Sequence, residues 1–255
     1  LNKKSTTLRL TMIFKQPLNH RPMASMYVTI MDLPLFKGIS TDHVSAFLEK
    51  TRLEFVKYAP GDELHHQQEQ CNEMRYVISG KVGIIHSNVS GSCSIHEEIP
   101  TGSVIGADRL FGMNTVYTNT AVALSDVCIM KFSKDKYLQL LASDEIYLMN
   151  ILNYLSLRTQ RSVDALNQLY SGSLLGHLAY WLETLTERDS KNIKVDCTIE
   201  SLSSLTNISS DELKRQIDFL KRRRLALYSS QSFAIPSRRR LIEAAIEENS
   251  ASAIS

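Results

Sequence analysis

The chain has 255 residues, of which 43% are hydrophobic and 22% charged, a composition that supports folded domains and excludes a mainly disordered or fibrous protein. Basic and acidic residues nearly cancel at a net charge of +2, and no uninterrupted apolar run reaches the ~18 residues of a membrane span, so no membrane partner is expected. Cys71, Cys93, Cys128 and Cys197 are dispersed with no CxxC pair, which argues for reduced thiols and against structural zinc or an iron-sulfur cluster.

In chain order, residues 1–30 read as a flexible N-terminal arm. Pro17 and Pro22 break its only amphipathic stretch, and Thr11, Lys15 and Gln16 interrupt the apolar run that a secretory signal needs, leaving the cytoplasm as the expected location. Because the chain opens on Leu1, Met26 and Met31 are the candidate starts of an ordinary product. A helix is predicted from Ser40 or Thr41, with Val44, Phe47 and Leu48 as its apolar stripe. Residues 52–132 then split into short strand-like runs punctuated by Gly61, Gly80, Gly91 and Gly102, a pattern that predicts a roll or barrel of about eight strands. The expected domain spans 31–143.

From Glu145 the pattern becomes helical for about 25 residues. Leu148, Leu152, Leu155, Thr159, Ser162, Leu166 and Leu169 recur at alternating steps of four and three, a seam suited to pairing two copies of the chain, so 144–171 is read as a dimerisation helix. Gly172 marks a helix end or hinge. A further amphipathic helix follows, with Leu175, Leu178, Trp181, Leu182 and Leu185 as its core side, and Asn192 to Cys197 suits a short strand. Leu202, Leu205, Ile208, Leu213, Ile217 and Leu220 then suit two short crossing helices that turn at Asn207. Ser209 with Glu212 three positions later has capping-box spacing for the second of them. A hairpin around Ser229 and Ser230 completes a winged unit over 172–236, and 237–255 reads as a helical extension and tail. From Ser210 to Arg240 nine Lys or Arg face three acids, a net charge of about +6 that suits a polyanionic partner.

The order of LPLFKGIS (33–40), the PGD turn (60–62), YVISGKVGI (76–84), GADRLFG (106–112), the long helix and the helix pair resembles the Crp/Fnr family of transcriptional regulators. The resemblance implies an α+β fold: an N-terminal double-stranded β-roll of the cyclic-nucleotide-binding kind, a long dimerisation helix and a C-terminal winged helix-turn-helix. It also implies a homodimer that binds double-stranded DNA at a roughly palindromic site, with RNA polymerase as a further partner.

Carried onto this chain, the family's groove-reading helix is Ser209 to Leu220. Ser209, Ser210, Asp211 and Arg215 occupy the positions of its SRE motif and following Arg. Ser210 stands where many relatives have Arg, which can contact guanine with two hydrogen bonds, so the operator is expected to differ. Asp211 reads either as an acceptor for cytosine or as a helix cap. Lys214 and Arg215 are expected to touch DNA, with Arg222, Arg223 and Arg224 near the backbone.

In the sensor, Gly106, Ala107, Asp108, Arg109, Tyr117 and Thr118 mark the effector pocket. Ala107 replaces the ribose-binding Glu, and Tyr117 and Thr118 replace the phosphate-binding Arg-Ser pair, so cyclic AMP is not expected to bind. No cofactor is predicted, while another small-molecule effector stays open. Two other classes compete. One is an interaction module whose winged helix does not read DNA, which Ser210 keeps in play. The other is a metal-binding cupin-like enzyme using His65, His66, Glu69, His86 and His96, disfavoured because adjacent strand residues point oppositely. No catalytic arrangement is visible, and a non-enzymatic protein is expected.

Overall fold

A computed structural model describes residues 27–50, 53–169 and 172–252, together with the backbone of 9–12, the side chains of 48–50 and 252 excepted. The fold is α+β, as expected. The chain divides into two compact units, one of residues 1–83 and 100–157 and the other of 84–99 and 158–255. This division departs from contiguous 31–143, 144–171 and 172–236 domains. The 84–99 hairpin groups with the C-terminal half, and the long helix is shared between the units at residue 157.

In the first unit a sheet runs in the order β1 (Arg9–Met12), β2 (Leu53–Tyr58), β9 (Val127–Ser133), β4 (Glu73–Ser79) and β7 (Val104–Ile105). Strand β1 lies inside the expected arm, its Arg9 opposite Val56 and its Met12 opposite Leu53. The pairing is with a strand more than forty residues away, which local periodicity does not signal. The remaining arm residues, including Pro17 and Pro22, lie outside the described residues. Strand β3 (Glu63–His65) pairs with β8 (Thr120–Ala123). With β5 (Val82–Ser87) and β6 (Cys93–Ile99), the stretch 53–133 contributes eight strands.

The punctuating glycines all adopt positive φ, and at Gly80 a Cβ would fall 2.2 Å from the Asp126 carbonyl oxygen, so only glycine fits there. Helix α1 (Thr41–Lys50) buries Val44 and half-buries Phe47; the Leu48 side chain lies outside the described residues. Helix α2 (Lys134–Ser143) buries Tyr137, Leu140 and Leu141, and the long helix α3 (Glu145–Leu169) buries Tyr147 and Ile151 in this unit.

The second unit is built on one sheet in the order β11 (Leu227–Ser229), β12 (Ser232–Ala234), β10 (Lys191–Cys197), β6 and β5. Strands β6 and β10 are antiparallel, with Ile95 opposite Val195 and Cys93 opposite Cys197. Buried Glu97 on β6 reinforces the pairing: it accepts the Glu187 backbone N–H at 2.8 Å and the Ser190 hydroxyl, and contacts His86 Nε2 at 3.1 Å. These bonds offset the cost of removing a carboxylate from water. Helices α4 (Leu174–Leu185), α5 (Ile199–Thr206), α6 (Ser210–Arg222) and α7 (Arg238–Ser252) surround a core that contains Leu178, Leu182, Leu202, Leu213, Leu220, Phe233 and Leu241.

Three expectations need correction here. Leu185 and Leu205, assigned to the core, are 41% and 45% exposed. Leu169, assigned to the dimer seam, is buried with Ala165 in this unit's core, because the end of α3 turns that face inward. The C-terminal extension is helical, as expected, and it joins the same core: Leu241, Ala244 and Ala245 of α7 pack there, and Glu248 accepts from the Ser173 hydroxyl at 2.7 Å.

In the first unit the hydroxyls of Tyr76 (β4) and Tyr137 (α2) bond to each other at 2.8 Å, fully buried. Tyr137→Phe strands the Tyr76 hydroxyl, and urea denaturation of the first unit should show a loss of about 1–2 kcal/mol. Adding Tyr76→Phe removes the stranded group, so the double variant should recover part of that loss.

Candidate functional site

Two stretches carry site chemistry, one in each unit. In the second, Thr198 caps α5 by accepting the Ser201 N–H at 3.1 Å, and the chain then reverses at Asn207, whose φ of +57° is left-handed. Asn tolerates that conformation better than most residues. The Ser203 hydroxyl donates to the Ile208 carbonyl at 2.7 Å across the turn. Ser209 then caps α6 by accepting the Glu212 N–H at 3.3 Å, as its spacing predicts.

Leu213, Ile217 and Leu220 form the buried stripe of α6. Gln216 accepts the N–H of Leu174 at 2.6 Å, which satisfies an orphaned donor at the start of α4 and ties the two helices together. The opposite face of α6 presents Ser210, Asp211, Lys214 and Arg215 to solvent. Lys214 pairs with Asp211 at 3.2 Å and Arg215 with Glu212, each across one helical turn, with side-chain exposures of 62% and 75% for the two cations. Asp211 is bound by Lys214, and the capping oxygen is that of Ser209.

Arg222, Arg223 and Arg224 occupy the other end of this 13-residue helix, about 15–20 Å from its N-terminus. The structure does not bring them together with Ser209 to Arg215. They serve the helix end itself. Arg223 lies 5.6 Å over the Phe219 ring, Arg222 donates to the Asp218 carbonyl at 3.3 Å, and Arg224 takes the left-handed position of a helix C-terminus with φ +54°. Three cations there also complement the helix dipole. A short hairpin follows as β11 and β12, joined by a two-residue turn at Ser230 and Gln231, both with positive φ. Arg238 leaves the basic tally, since it is half-buried and paired with Glu183 at 2.6 Å.

In the first unit, Gly106 has φ +86°, and a Cβ on it would meet Cys71 Sγ at 2.9 Å and the Tyr117 ring at 3.3 Å. Ala107 and Tyr117 are buried; Asp108 and Arg109 pair with each other at 3.3 Å; Thr118 is exposed. Of the expected pocket residues, Gly106 and Tyr117 therefore meet, while Thr118 does not join them.

The structure adds members that the motif comparison misses. His65 stacks on Tyr117 with ring centroids 3.7 Å apart and bonds Asn119 at 2.8 Å. Arg75 lies 5.7 Å from the Tyr117 centroid, donates to the Leu64 carbonyl at 2.7 Å, and pairs with Glu73 at 2.8 Å. Burial works to raise the Glu73 pKa, but hydrogen bonds and charge from Lys131 and Arg75 prevail and hold it below the ordinary carboxylate value. The signal available in the sequence was Arg75 itself, a lone cation in the otherwise apolar run MRYVIS.

The histidines of the metal reading are dispersed among other partners: His65 with Tyr117, His66 with Glu63 at 2.7 Å, His86 with Glu97, and His96 with Asp196 at 3.1 Å. Among the described residues no group of three or more His, Cys, Asp or Glu is placed to hold a metal ion.

Burial lowers the His65 pKa to about 4, with Arg75 adding to the effect and the Asn119 hydrogen bond opposing it. The unfolded chain then binds a proton between about pH 6.5 and 4 that the folded unit refuses. Stability is full above pH 6.5 and falls by up to about 3 kcal/mol as pH drops through that window. Denaturation of the first unit measured from pH 7.5 to 4.5 should show this slope, and His65→Phe, which keeps an aromatic ring against Tyr117, should flatten it.

A sequence model of the cyclic nucleotide-binding domain matches residues 55–144. Among curated protein sequences no significant match is found. Among solved structures, the catabolite activator protein of Thermus thermophilus aligns at 18% identity and a TM-score of 0.50, covering 84% of this chain and 99% of its own. The global regulator CLP of Xanthomonas campestris aligns at 17% identity with a TM-score of 0.46 over 78% of this chain and 100% of its own. DNR of Pseudomonas aeruginosa aligns at 19% identity with a TM-score of 0.41 over 89% of this chain and 98% of its own. At 18% identity the likeness to the Thermus protein is one of fold. The Crp/Fnr resemblance thus holds at the level of architecture: residues 55–144 match the cyclic nucleotide-binding domain, in a chain whose fold is similar to that of the catabolite activator protein.

Proposed function

We propose that the chain is a homodimeric, sequence-specific DNA-binding regulator of transcription, cytoplasmic and non-enzymatic, that is not controlled by cyclic AMP. The observation that carries this reading is the solvent face of α6. A helix locked by its buried stripe and by Gln216 presents Ser210, Asp211, Lys214 and Arg215 outward, next to a tight turn and a hairpin wing. The N-terminal half of such a helix is the part that reaches base edges in the major groove, with cations supplying affinity and short polar groups supplying choice. Lys214 and Arg215 trade their intrahelical partners for phosphate or base at small cost, since exposed ion pairs contribute little. Arg222, Arg223 and Arg224 contribute long-range attraction to the polyanion from the far end of the helix. RNA polymerase is the further partner that a regulator of this architecture implies.

Dimerisation is supported by the row of Leu148, Leu152 and Leu166, all 40% or more exposed, with Thr159 and Ser162 also exposed and Leu155 half-buried. Met149 and Val163 widen the apolar row. Two such helices would bury each other's apolar surface and place two copies of α6 about one DNA turn, or about 34 Å, apart.

The clause on cyclic AMP rests on the sensor. The guanidinium of Arg75 is occupied by Glu73, the Leu64 carbonyl and His65, Tyr117 fills the position of the phosphate-binding Arg, and Ala107 offers no acceptor to a ribose. A different small-molecule effector is compatible with this packing.

Purified chain should bind its own upstream promoter more tightly than scrambled DNA throughout a salt titration; equal affinities would leave a protein-interaction module as the better reading. Arg215→Ala should weaken specific binding roughly 5- to 150-fold and leave non-specific binding much less affected. Titration calorimetry with cyclic AMP should give no saturable heat, and micromolar binding would refute that clause. In sedimentation, Leu152→Lys should shift the chain toward monomer at micromolar concentrations.

A further inference from the structure

Four cysteines enter none of the chemistry above, and two of them face each other. In the β6–β10 ladder, Cys93 is directly opposite Cys197. The Cys197 N–H donates to the Gln231 carbonyl at 2.9 Å, toward β12, and the Cys93 N–H donates to Asn88 Oδ1 at 3.2 Å. Neither amide is spent across the pair. That identifies a non-hydrogen-bonded site of the antiparallel ladder, where opposed Cα atoms are about 4.5 Å apart and side chains approach most closely. A disulfide needs Cα atoms roughly 4.4–6.8 Å apart with both Cβ vectors on one side of the sheet, and this register supplies both.

Both thiols are free and buried in the same core cluster. They hydrogen-bond to each other, which pulls the Cys93 thiol below its ordinary pKa and pushes that of Cys197 up. Cys93, 8% exposed, is also the more accessible of the two, against 3% for Cys197. The other two cysteines sit differently: Cys71 packs on Gly106, and Cys128 stands opposite Lys57 on one neighbouring strand and Ser79 on the other.

We propose that Cys93 and Cys197 form an oxidation site, a dithiol that closes reversibly to an intrachain disulfide in the presence of a peroxide. Cys93 is the attacking sulfur. Its thiolate displaces hydroxide from the peroxide, the O–O bond breaks, and a sulfenic acid forms while the hydroxide takes up the thiol proton as water. The sulfur of Cys197 then attacks the Cys93 sulfur, the S–S bond replaces the S–O bond, and a second water leaves with the Cys197 proton. Two thiols lose two electrons, and one peroxide becomes two waters. Cys197 immediately precedes Thr198, the cap of α5, so the bond fixes the strand that feeds the helix pair onto the 84–99 hairpin.

The site is tested on the reduced full-length chain with graded hydrogen peroxide, alkylation of remaining thiols after unfolding, and non-reducing peptide mass spectrometry. The expected result is one cross-linked peptide joining Cys93 to Cys197 with the loss of two hydrogens, formed before Cys71 or Cys128 is modified and reopened by dithiothreitol. Cys93→Ser should abolish the link, with circular dichroism reporting whether that variant folds; the wild-type map stands without it. A link to Cys71 or Cys128, a link between chains, accumulation of Cys93 sulfinic acid with Cys197 still alkylatable, or four unmodified thiols where a free cysteine peptide is fully oxidised would each overturn the proposal. None of these readouts involves DNA, so their failure is distinct from failure of the regulator reading.

Discussion

The pairing of β6 with β10 is the constraint on which the second unit depends. β12 has only β11 beyond it, and together they form a short hairpin; without β6, strand β10 would leave one edge of backbone donors and acceptors unpaired. The hairpin from the first half of the chain completes that sheet and delivers Glu97 to the turn before β10, where its carboxylate receives the Glu187 amide and the Ser190 hydroxyl. A buried charge tolerates no partial solution, because a missing donor exposes the full cost of desolvation. The hairpin and the helix pair are therefore one cooperative structure, although roughly a hundred residues separate them in sequence.

On that sheet the helices are aligned by specific contacts as well as by apolar packing. The stripe of Leu213, Ile217 and Leu220 sets the rotation of α6, and the Gln216 bond to Leu174 sets its position along α4. Rotation alone decides which residues meet solvent, so the identity of the outward face follows from three buried aliphatics. Two groups of polar side chains are separated along the same helix: Ser210, Asp211, Lys214 and Arg215 stand exposed at the start, and the arginine cluster stands at the end, where it satisfies the dipole and the cap.

Much of this was legible because it is local. The Ser209 cap on the Glu212 amide, the turn at Asn207, the limits of the long helix and the strand punctuation by glycine all arise from interactions within a few residues. What escaped depends on distant partners. Strand β1 acquires order only against β2, and Leu169 turns inward only because a core lies there. Leu205 fits the apolar period of α5 yet faces out at 45% exposure, since period fixes a direction and not what lies along it. The helix break near Gly172 was visible, whereas the grouping of hairpin 84–99 with the C-terminal half was not, because an antiparallel ladder leaves no local signature.

The members of the cluster around Tyr117 depend on one another. Its stacked ring, buried guanidinium and flanking carboxylate neutralise one another, so each is tolerable only while the others remain. Changing Tyr117 to Arg would set a second cation beside Arg75, and changing Ala107 to Glu would bury an additional carboxylate at a position only 2% exposed. Neither step improves the site by itself. The effect of either substitution therefore depends on what its neighbours carry, and the members of this cluster change in a coupled way or at a loss of stability.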